Sequence, residues 1–554
     1  MKNINKVIAS ALMGVALVSC NDLDTVYEGY YVTSQTKAEV LEITPEMAVA
    51  GVTGISANFS RCYGAGFASR TDWDYGYAGA MLGMDHMTAD MNARYIGYNH
   101  FNGWMGYYGT IITPQSDPSY GIWVYMYNQI YVANTVLASI PADTENSELK
   151  MFRAQALGFR SFNYWVLAQM YQYNYVGNQD KPCVPIITEE NADVAGAEGA
   201  PRASVEEVYT RIITDLTEAI AGTESSDVNI ASYVPTKPRR MLFLDALYGL
   251  RARAYLTMGK YAEAAADAQK AIAVSSTSPI SIEECSKPGF SSMSEHNWMW
   301  GIAIAETDRV VTIGIVNNPS MLCSFADGYT NAGCWRAIAD DLWNAIPGDD
   351  VRKGWWLDDD FNSPILPAER QEYLLSYGKG TIADSDASLV PHTNVKFDSY
   401  QSVDEQTVNA NDIPLMRIEE MYYIAAEGLA MSNQMTAAVE LLTNFEKTYR
   451  NPSFVCNAST PEAMQELIWN KRRIELWGEG LAYFDLQRLG KAVNRRQAGC
   501  VNVFRYDIPA NDPVRIMQIP EDEMQTNPAL NQNAPVGSSA GNNEQGSRPV
   551  PIQG

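Results

Sequence analysis

The chain has 554 residues, of which 46% are hydrophobic and 19% are charged. A single hydrophobic core stops growing at roughly 250–300 residues, so a chain of this ordinary globular composition is expected to form more than one packed unit. Its net charge of −25 opposes binding to nucleic acid and to anionic lipid headgroups, and it favours a neutral ligand or a protein partner.

The first twenty residues resemble the signal of a bacterial lipoprotein. Two lysines precede an apolar run at 7–18, which is too short for a transmembrane helix of roughly 20 residues. The run ends in a lipobox-like Leu-Val-Ser-Cys sequence, so we predict cleavage before Cys20 and a lipid anchor on Cys20. The alternative is an ordinary secretory signal with an incidental cysteine. Cleavage removes two lysines and no acidic residue, which leaves a net charge of −27.

Several amphipathic helices follow an extended tether at 20–36. Apolar residues recur at helical spacing in 121–140 and in 148–172. Ser204 and Glu207 form a capping box, which predicts the start of another helix. These helices favour a mostly α-helical scaffold.

A repeated pair of helices appears further along the chain. Residues 242–273 contain two helical patterns that are separated near Gly259, and 414–447 repeat their spacing. Small residues in the second helix allow close approach, as in a tetratricopeptide helix pair. Thr460 is the predicted cap of a helix at 462–477.

Two long stretches have no sustained helical period. They are rich in glycine, aromatic residues and turn residues, and strand-like runs at 297–305 and 310–316 lie in the second stretch. We therefore predict a helical scaffold that carries an irregular lobe. The expected organisation is a signal peptide at 1–19, a tether at 20–36, a folded region at 37–530 (scaffold 37–60, 121–275 and 412–500; variable lobe 61–120 and 281–411) and a flexible tail at 531–554.

No catalytic or metal-binding motif is evident. The four histidines lack helical metal spacing, and a GxSxG sequence at 537–541 lies in the low-complexity tail. Adjacent acids such as Asp349 and Asp350 are interpreted as solvated faces or turn caps. Three aspartates at 358–360 could bind calcium, but no loop spacing supports this, and no cofactor or metal is predicted. The cysteines are expected to be mostly free, with Cys323–Cys334 the only close pair.

Aromatic side chains concentrate in the irregular lobe. Six of the twelve tryptophans lie between 298 and 356. A sugar presents an apolar C–H face that stacks on a ring and hydroxyls that bind amide, carboxylate or guanidinium groups. Most buried aromatics only fill a core, and Trp298 and Trp300 are interpreted in that way. The candidate stacking residues are Trp73, Tyr75, Tyr95, Trp104, Tyr329 and Trp335, and the candidate hydrogen-bonding residues are Asp90, Arg94 and Asn331.

Five ordered segments make the chain resemble the SusD/RagB family of surface nutrient-binding lipoproteins. Arg417 and Glu420 lie in the third segment, and Arg473 and Glu475 lie in the fourth. The segments are WVYMYNQIYVANTVLASI, AQALGFRSFNYWVLAQMYQYNY, IPLMRIEEMYYIAAEGLA, IWNKRRIELWGEGLAYFDLQRLG and IPEDEMQTNPALNQNAP.

This resemblance implies four tetratricopeptide-like helix pairs with a variable lobe packed against them. It also implies a non-catalytic protein that acts as a hinged lid on a SusC-like TonB-dependent transporter. Arg417, Glu420, Arg473 and Glu475 are expected to make buried ion pairs rather than ligand contacts. The family's ligand residues share no motif, so they cannot be transferred to this chain.

The leading hypothesis is therefore a glycan-binding lipoprotein of the outer membrane that faces the cell exterior. Its partners would be an oligosaccharide and the transporter, and it would contact the membrane only through its lipid anchor. Two alternatives remain open at this point: a peptide-binding, RagB-like member of the same family and a surface glycosidase with two facing carboxylates.

Overall fold

The structure is a computed structural model. It describes residues 34–62, 74–94, 100–107, 113–312, 317–382, 384, 386–496, 498–501 and 504–533. The predicted anchor at Cys20, the GxSxG sequence and most of the predicted tail lie outside the described residues.

The described chain is mostly α-helical. The helices are α1 Ser34–Ile43, α2 Val49–Asn58, α3 Tyr77–His86, α4 Asn102–Gly106, α5 Asp117–Ser139, α6 Ser147–Tyr171, α7 Ala192–Glu198, α8 Val205–Glu224, α9 Leu244–Thr257, α10 Tyr261–Val274, α11 Ile282–Cys285, α12 Arg309–Thr312, α13 Asn318–Leu322, α14 Asp340–Asn344, α15 Ala368–Leu375, α16 Ile418–Met431, α17 Met435–Tyr449, α18 Pro461–Glu475, α19 Ala482–Arg488 and α20 Glu521–Thr526.

Short strands and single 3-10 turns complete the described chain. The strands form two-stranded antiparallel pairs, which join β1 to β3, β2 to β4 and β5 to β6. The strands are β1 Met91–Ala93, β2 Trp298–Ile302, β3 Arg336–Ile338, β4 Ile413–Arg417, β5 Val493–Asn494 and β6 Asp507–Ile508, and the 3-10 helices are Pro45–Ala48, Ile230–Ser232, Pro238–Arg240, Val351–Trp355, Tyr400–Ser402 and Pro513–Arg515.

Both predicted helix starts are confirmed, because the predicted residues cap the helices. The Ser204 hydroxyl accepts a hydrogen bond from the Glu207 backbone N–H, and the Glu207 carboxylate accepts one from the Ser204 N–H. The Thr460 hydroxyl accepts from the Ala463 N–H at the start of α18. These side chains satisfy N–H groups that have no partner within the helix. The first helix begins at Ser34, inside the segment that was expected to be an extended tether.

The repeated helix pairs pack against one another, as the sequence predicts. Helices α9 and α10 form one pair, α16 and α17 form the next, and α10 packs on α16. The close approach depends on small residues, because a Cβ added at Gly428 would lie 2.5 Å from the carbonyl oxygen of Tyr261 and 2.9 Å from the Cβ of Ala265. The long helices α5, α6 and α8 extend this array on the N-terminal side. We call the array the helical frame.

A central charge cluster lies inside the frame. Its middle is Glu475, whose carboxylate accepts hydrogen bonds from Arg352, Arg417 and Arg450 at 2.7–3.0 Å. Burial alone would raise the pKa of Glu475, but these guanidinium groups hold it well below its usual value. Five cations balance five carboxylates, and each side chain is at most 7% exposed: Arg352, Lys396, Arg417, Arg450 and Lys471 with Asp350, Glu419, Glu446, Glu475 and Glu479.

The predicted buried ion pairs of Arg417, Glu420, Arg473 and Glu475 are confirmed. Arg417 does not pair with Glu420, however, and Arg473 does not pair with Glu475. Arg417 ends β4 and binds Glu475 and Glu479, whereas Glu420 lies on α16 and binds Arg253 at 2.5 Å. Arg473 and Glu475 are two residues apart on α18, so they face different directions. Arg473 therefore reaches out to the lobe while Glu475 points into the central charge cluster. Asp350, for which a solvated face or a turn cap is predicted, caps the 3-10 turn at Val351–Trp355 but is buried in this cluster rather than solvated.

The lobe contains more regular structure than its sequence indicates. All ten residues of α3 are buried, so the helix has no polar face and gives no amphipathic signal. The strand-like run at 297–305 is confirmed as β2, with Trp298 and Trp300 each 1% exposed. The prediction of a strand at 310–316 was wrong for its first three residues, because they belong to α12. Residues 313–316 lie outside the described residues. Strands β1 and β3 join the two parts of the lobe.

The close contact at Gly428 gives a test of the helix packing. We expect Gly428→Ala to lower the free energy of unfolding by about 1–2 kcal/mol, because the new methyl group would overlap the backbone of α10. Gly54 on α2 is the matched control, since a Cβ there would meet nothing within 4 Å. Gly54→Ala should therefore raise stability by about 0.5–1 kcal/mol through its helix propensity. Urea denaturation of both variants measures the two changes in the free energy of unfolding, which should have opposite signs. Equal changes in the two variants would contradict this packing.

Candidate functional site

Most of the candidate stacking residues are either buried or outside the described part of the structure. The rings of Tyr75, Trp104 and Trp335 are 0–2% exposed, so in this conformation they offer no free face to a ligand. Stacking by these three rings is therefore not supported. Trp73 and Tyr95 lie outside the described residues. Aromatic clustering in the sequence therefore does not distinguish the interior of the lobe from its surface, because both are rich in large rings.

The predicted polar ligand residues Asp90 and Arg94 are occupied by ion pairs. Asp90 accepts a hydrogen bond from the Arg473 guanidinium at 2.6 Å, and its backbone carbonyl accepts one from the Trp477 indole N–H at 2.9 Å. Arg94 is fully buried and donates to the carboxylate of Asp386 at 2.9 Å. The first residue fastens the lobe to α18, and the second supports the loop around 386.

Tyr329 and Asn331 lie two residues apart in one loop of the lobe, and both are half-buried. Asn331 contacts Tyr373 on α15, which contacts Tyr377, and we call the half-buried side chains of Tyr329, Asn331, Tyr373 and Tyr377 the tyrosine cluster. The Asn331 amide N–H donates to the Tyr373 hydroxyl at 3.5 Å, and the Tyr373 and Tyr377 hydroxyls are 3.1 Å apart. The rings of Tyr373 and Tyr377 meet edge to face with centroids 5.6 Å apart.

Buried residues hold the tyrosine cluster in place. The Trp335 ring packs edge to face against Tyr377 with centroids 5.2 Å apart, and its indole N–H donates to the Ala387 carbonyl at 3.1 Å. Arg94 donates to the carbonyl and to the carboxylate of Asp386, the residue before Ala387, so it holds this part of the loop in place. The ring of His100 meets Tyr329 at 4.7 Å. Trp335 and Arg94, two of the predicted ligand residues, thus contact the tyrosine cluster and the loop that Trp335 binds, respectively.

The two segments that carry the cluster are themselves anchored. The loop that contains Tyr329 is fastened by Thr330, whose N–H and hydroxyl both donate to the Ser320 carbonyl at 2.9 and 3.0 Å. Helix α15 carries Tyr373 and is anchored by Arg370, which binds Asp398 at 2.8 Å and Asp404 at 2.5 Å. A site whose side chains are fixed before binding loses less entropy when the ligand arrives.

The chemistry of the tyrosine cluster is that of neutral hydrogen bonding and ring contact. Burial raises the pKa of Tyr373 above its usual value, and the neighbouring Tyr377 hydroxyl adds to this effect against the Asn331 hydrogen bond. The hydroxyl therefore stays protonated and can both donate and accept. Phenol rings and an amide suit a ligand that has apolar faces and a hydroxyl rim.

Sequence reasoning missed Tyr373 and Tyr377. They lie four residues apart at α15 and just beyond its end, in the run AERQEYLLSY. This spacing places two tyrosines on the same side of a helix, and it was the available signal. Tryptophan density, the stronger signal in this lobe, does not extend to this segment.

The remaining candidate groups have structural partners. Asp340 binds His392 at 2.9 Å, and the Asp358 carboxylate accepts the backbone N–H groups of Asp360 and Asn362 in a turn. Cys323 and Cys334 are both free, so this close pair is not a disulfide. In the described part of the chain, no three His, Cys, Asp or Glu side chains are grouped so that they could hold a metal ion.

Two family models match this chain, one in its N-terminal half and one in its C-terminal half. The model described as starch-binding associating with outer membrane matches residues 76–256, and the SusD family model matches residues 365–536. The chain belongs to the SusD/RagB family. The matches include α5, α6 and α8 on one side and α16 and α17 on the other, as well as Tyr373 and Tyr377, whereas α10 lies between the two matched ranges. The predicted fold class, a mostly α-helical tetratricopeptide-like frame, is confirmed.

Individual relatives agree with this assignment. The chain is 23% identical to SusD-like protein P38 of Formosa agariphila over 410 residues, which cover 69% of this chain and 74% of the relative. A SusD-like carbohydrate binding protein from Bacteroides vulgatus shares the fold with a TM-score of 0.67 at 22% identity, covering 87% of this chain and 96% of that chain. A laminarin binding SusD-like protein has a TM-score of 0.59 at 19% identity, with 88% and 98% covered.

SusD-family proteins associate with the outer membrane, as the description of the first matching model states. Across the described ranges, no helix has the length and apolar character needed to cross a membrane.

The Asp90–Arg473 pair gives a test that separates support from ligand contact. We expect Asp90→Asn to destabilise the protein by about 2–4 kcal/mol, because it leaves the largely buried Arg473 without its carboxylate. The affinity of the folded variant for a bound glycan should stay within about twofold of the wild type. Thermal unfolding and glycan titration of the same sample measure both effects. A large loss of affinity without loss of stability would show that Asp90 contacts the ligand.

Proposed function

We propose that this protein is a non-catalytic, lipid-anchored glycan-binding protein of the outer membrane that delivers oligosaccharides to a SusC-like TonB-dependent transporter. The observation that carries the proposal is the tyrosine cluster, in which the hydroxyls of the half-buried Tyr373 and Tyr377 meet and Asn331 donates to the Tyr373 hydroxyl. It combines stacking faces with neutral hydrogen-bonding groups, and a sugar requires both.

The comparisons support the same class of ligand. The matching family model is described as starch-binding, and one structural neighbour is described as laminarin binding. Starch and laminarin are both neutral glycans, which also suits a chain whose net charge is −25. We therefore expect a neutral glycan rather than an acidic one.

The proposal of a binding role without hydrolysis rests on the composition of the cluster. The four side chains that define it are three phenols and one amide, and a glycosidase needs two carboxylates that flank the scissile bond. Asp386, which precedes the Ala387 carbonyl that Trp335 binds, pairs with Arg94, as does Asp384. Release of reducing sugar by the purified protein, abolished by changing one carboxylate, would overturn this part of the proposal.

Affinity electrophoresis against laminarin, starch, xylan and mannan tests the binding site. We expect at least one of these glycans to retard the wild type and Tyr373→Ala to weaken that binding about tenfold or more, equivalent to about 1.4 kcal/mol. Tyr373→Phe is the matched control, because it keeps the ring and removes only the hydroxyl, so it should lose less. Tyr422 is half-buried on the frame, so Tyr422→Ala should leave affinity unchanged. Retardation by none of the glycans would refute glycan binding, and peptides found on the purified protein would favour the peptide-binding alternative.

The lipid anchor is tested by Cys20→Ala. Without a thiol to acylate, the variant should fold normally but move from the membrane fraction to the soluble fraction. Circular dichroism checks the fold, and cell fractionation with antibody detection checks the location. Retention of Cys20→Ala in the membrane fraction would contradict the anchor, and failure of the wild-type protein to co-purify with a transporter would contradict the delivery role.

A further inference from the structure

A second surface cavity lies on the helical frame, between the end of α2 and the middle of α5. Its volume is about 260 Å³, and its walls include Asn58, Arg61, Asn128, Gln129 and Tyr131. The Tyr125 hydroxyl donates to the Asn58 carbonyl at 2.9 Å and joins the two helices beneath the cavity. None of these residues belongs to the tyrosine cluster.

Gln129 is the unusual member of this cavity. Its side chain is 1% exposed, yet neither its amide oxygen nor its amide nitrogen has a hydrogen-bond partner within the described residues. An amide that is removed from water without a partner costs free energy, so buried amides in proteins are nearly always paired. Gln129 lies in the wall of the cavity, where a bound ligand can supply both a donor and an acceptor to its amide.

Exposed groups surround Gln129 on the same part of α5. The Tyr131 ring is 69% exposed, which is unusual for so large a side chain on a helix of the frame. Asn128 is also exposed and lies three residues before Tyr131, so both reach the same side of the helix. The Arg61 side chain is exposed, and no ion pair of the described chain involves it. The cavity thus has a ring, three amides and one cation.

We propose that this cavity is a second carbohydrate subsite, which holds one sugar unit of a neutral glycan against Tyr131. The ring stacks on the C–H face of the sugar, and Gln129, Asn128 and Asn58 bind its hydroxyls. The volume lies just below the roughly 300 Å³ at which small-molecule pockets begin, so it suits one unit rather than a long chain. A peptide fits less well, because both walls are helices and offer no strand edge for backbone pairing.

This inference rests on the proposed glycan binding but concerns a different surface. A glycan that engages both sites gains affinity by avidity, provided that its length spans them. Loss of either site should then weaken binding of a polysaccharide, while a short oligosaccharide still binds the remaining site.

Cys62 gives a local readout, because it is half-buried and lines the same cavity. The test uses the mature chain with Cys20→Ala and follows alkylation of Cys62 by N-ethylmaleimide with mass spectrometry. Laminarihexaose, maltohexaose, xylohexaose and mannohexaose are the probes. We expect at least one to slow alkylation of Cys62 about fivefold or more, and to leave alkylation of the half-buried Cys456 unchanged as the internal control.

Two variants complete the experiment. Tyr131→Ala should abolish the protection of Cys62, whereas Thr135→Ala, one turn further along α5, should preserve it. Gln129→Leu should also abolish protection but should raise the melting temperature of the unliganded protein, because it removes the unpaired amide. If Gln129 had only a structural role, its replacement by Leu would instead lower the melting temperature. Glycan binding in affinity electrophoresis without protection of Cys62 would overturn this subsite alone, and no binding by any assay would overturn it together with the proposed function.

Discussion

The binding of Glu475 by three arginines is the interaction on which the rest of the structure depends. Arg352 comes from the lobe, Arg417 from the end of β4 and Arg450 from the end of α17, so one carboxylate on α18 joins four parts of the chain. Taking such charges out of water is costly unless every partner is present. The balance of five cations and five carboxylates meets that condition, and it makes the frame and the inner face of the lobe a single unit.

The surface of the lobe is organised from this centre outward. Asp90 ties β1 to α18 through Arg473, and β1 pairs with β3, which begins directly after Trp335. Trp335 then supports Tyr377 at the surface. A chain of contacts therefore connects the buried charges to the half-buried rings. These buried contacts allow a loop-rich lobe to present rings in a fixed geometry.

The sequence predicted the frame well and the site poorly, for a physical reason. Helices such as α5, α6 and α8 bury one face against neighbours, so their apolar residues recur at a fixed period. Helix α3 is buried on every side and has no such period, so it was missed. Ring stacking requires exposed rings, but burial depends on contacts between distant segments. Composition alone could not separate the buried Trp104 and Trp335 from the half-buried Tyr329 and Tyr373. The same limit applies to ion pairs, because local spacing does not reveal that Arg473 binds Asp90.

The chain order of the central charge cluster limits when this protein can finish folding. Arg352 precedes Glu475 by 123 residues, and Arg417 and Arg450 are also made before it. Until Glu475 and Glu479 join them, these arginines lack part of the carboxylate charge that makes their burial favourable. The N-terminal helix pairs can assemble earlier through local apolar contacts. Closure of the frame must wait for the C-terminal part of the polypeptide, so α18 completes the interior of this protein.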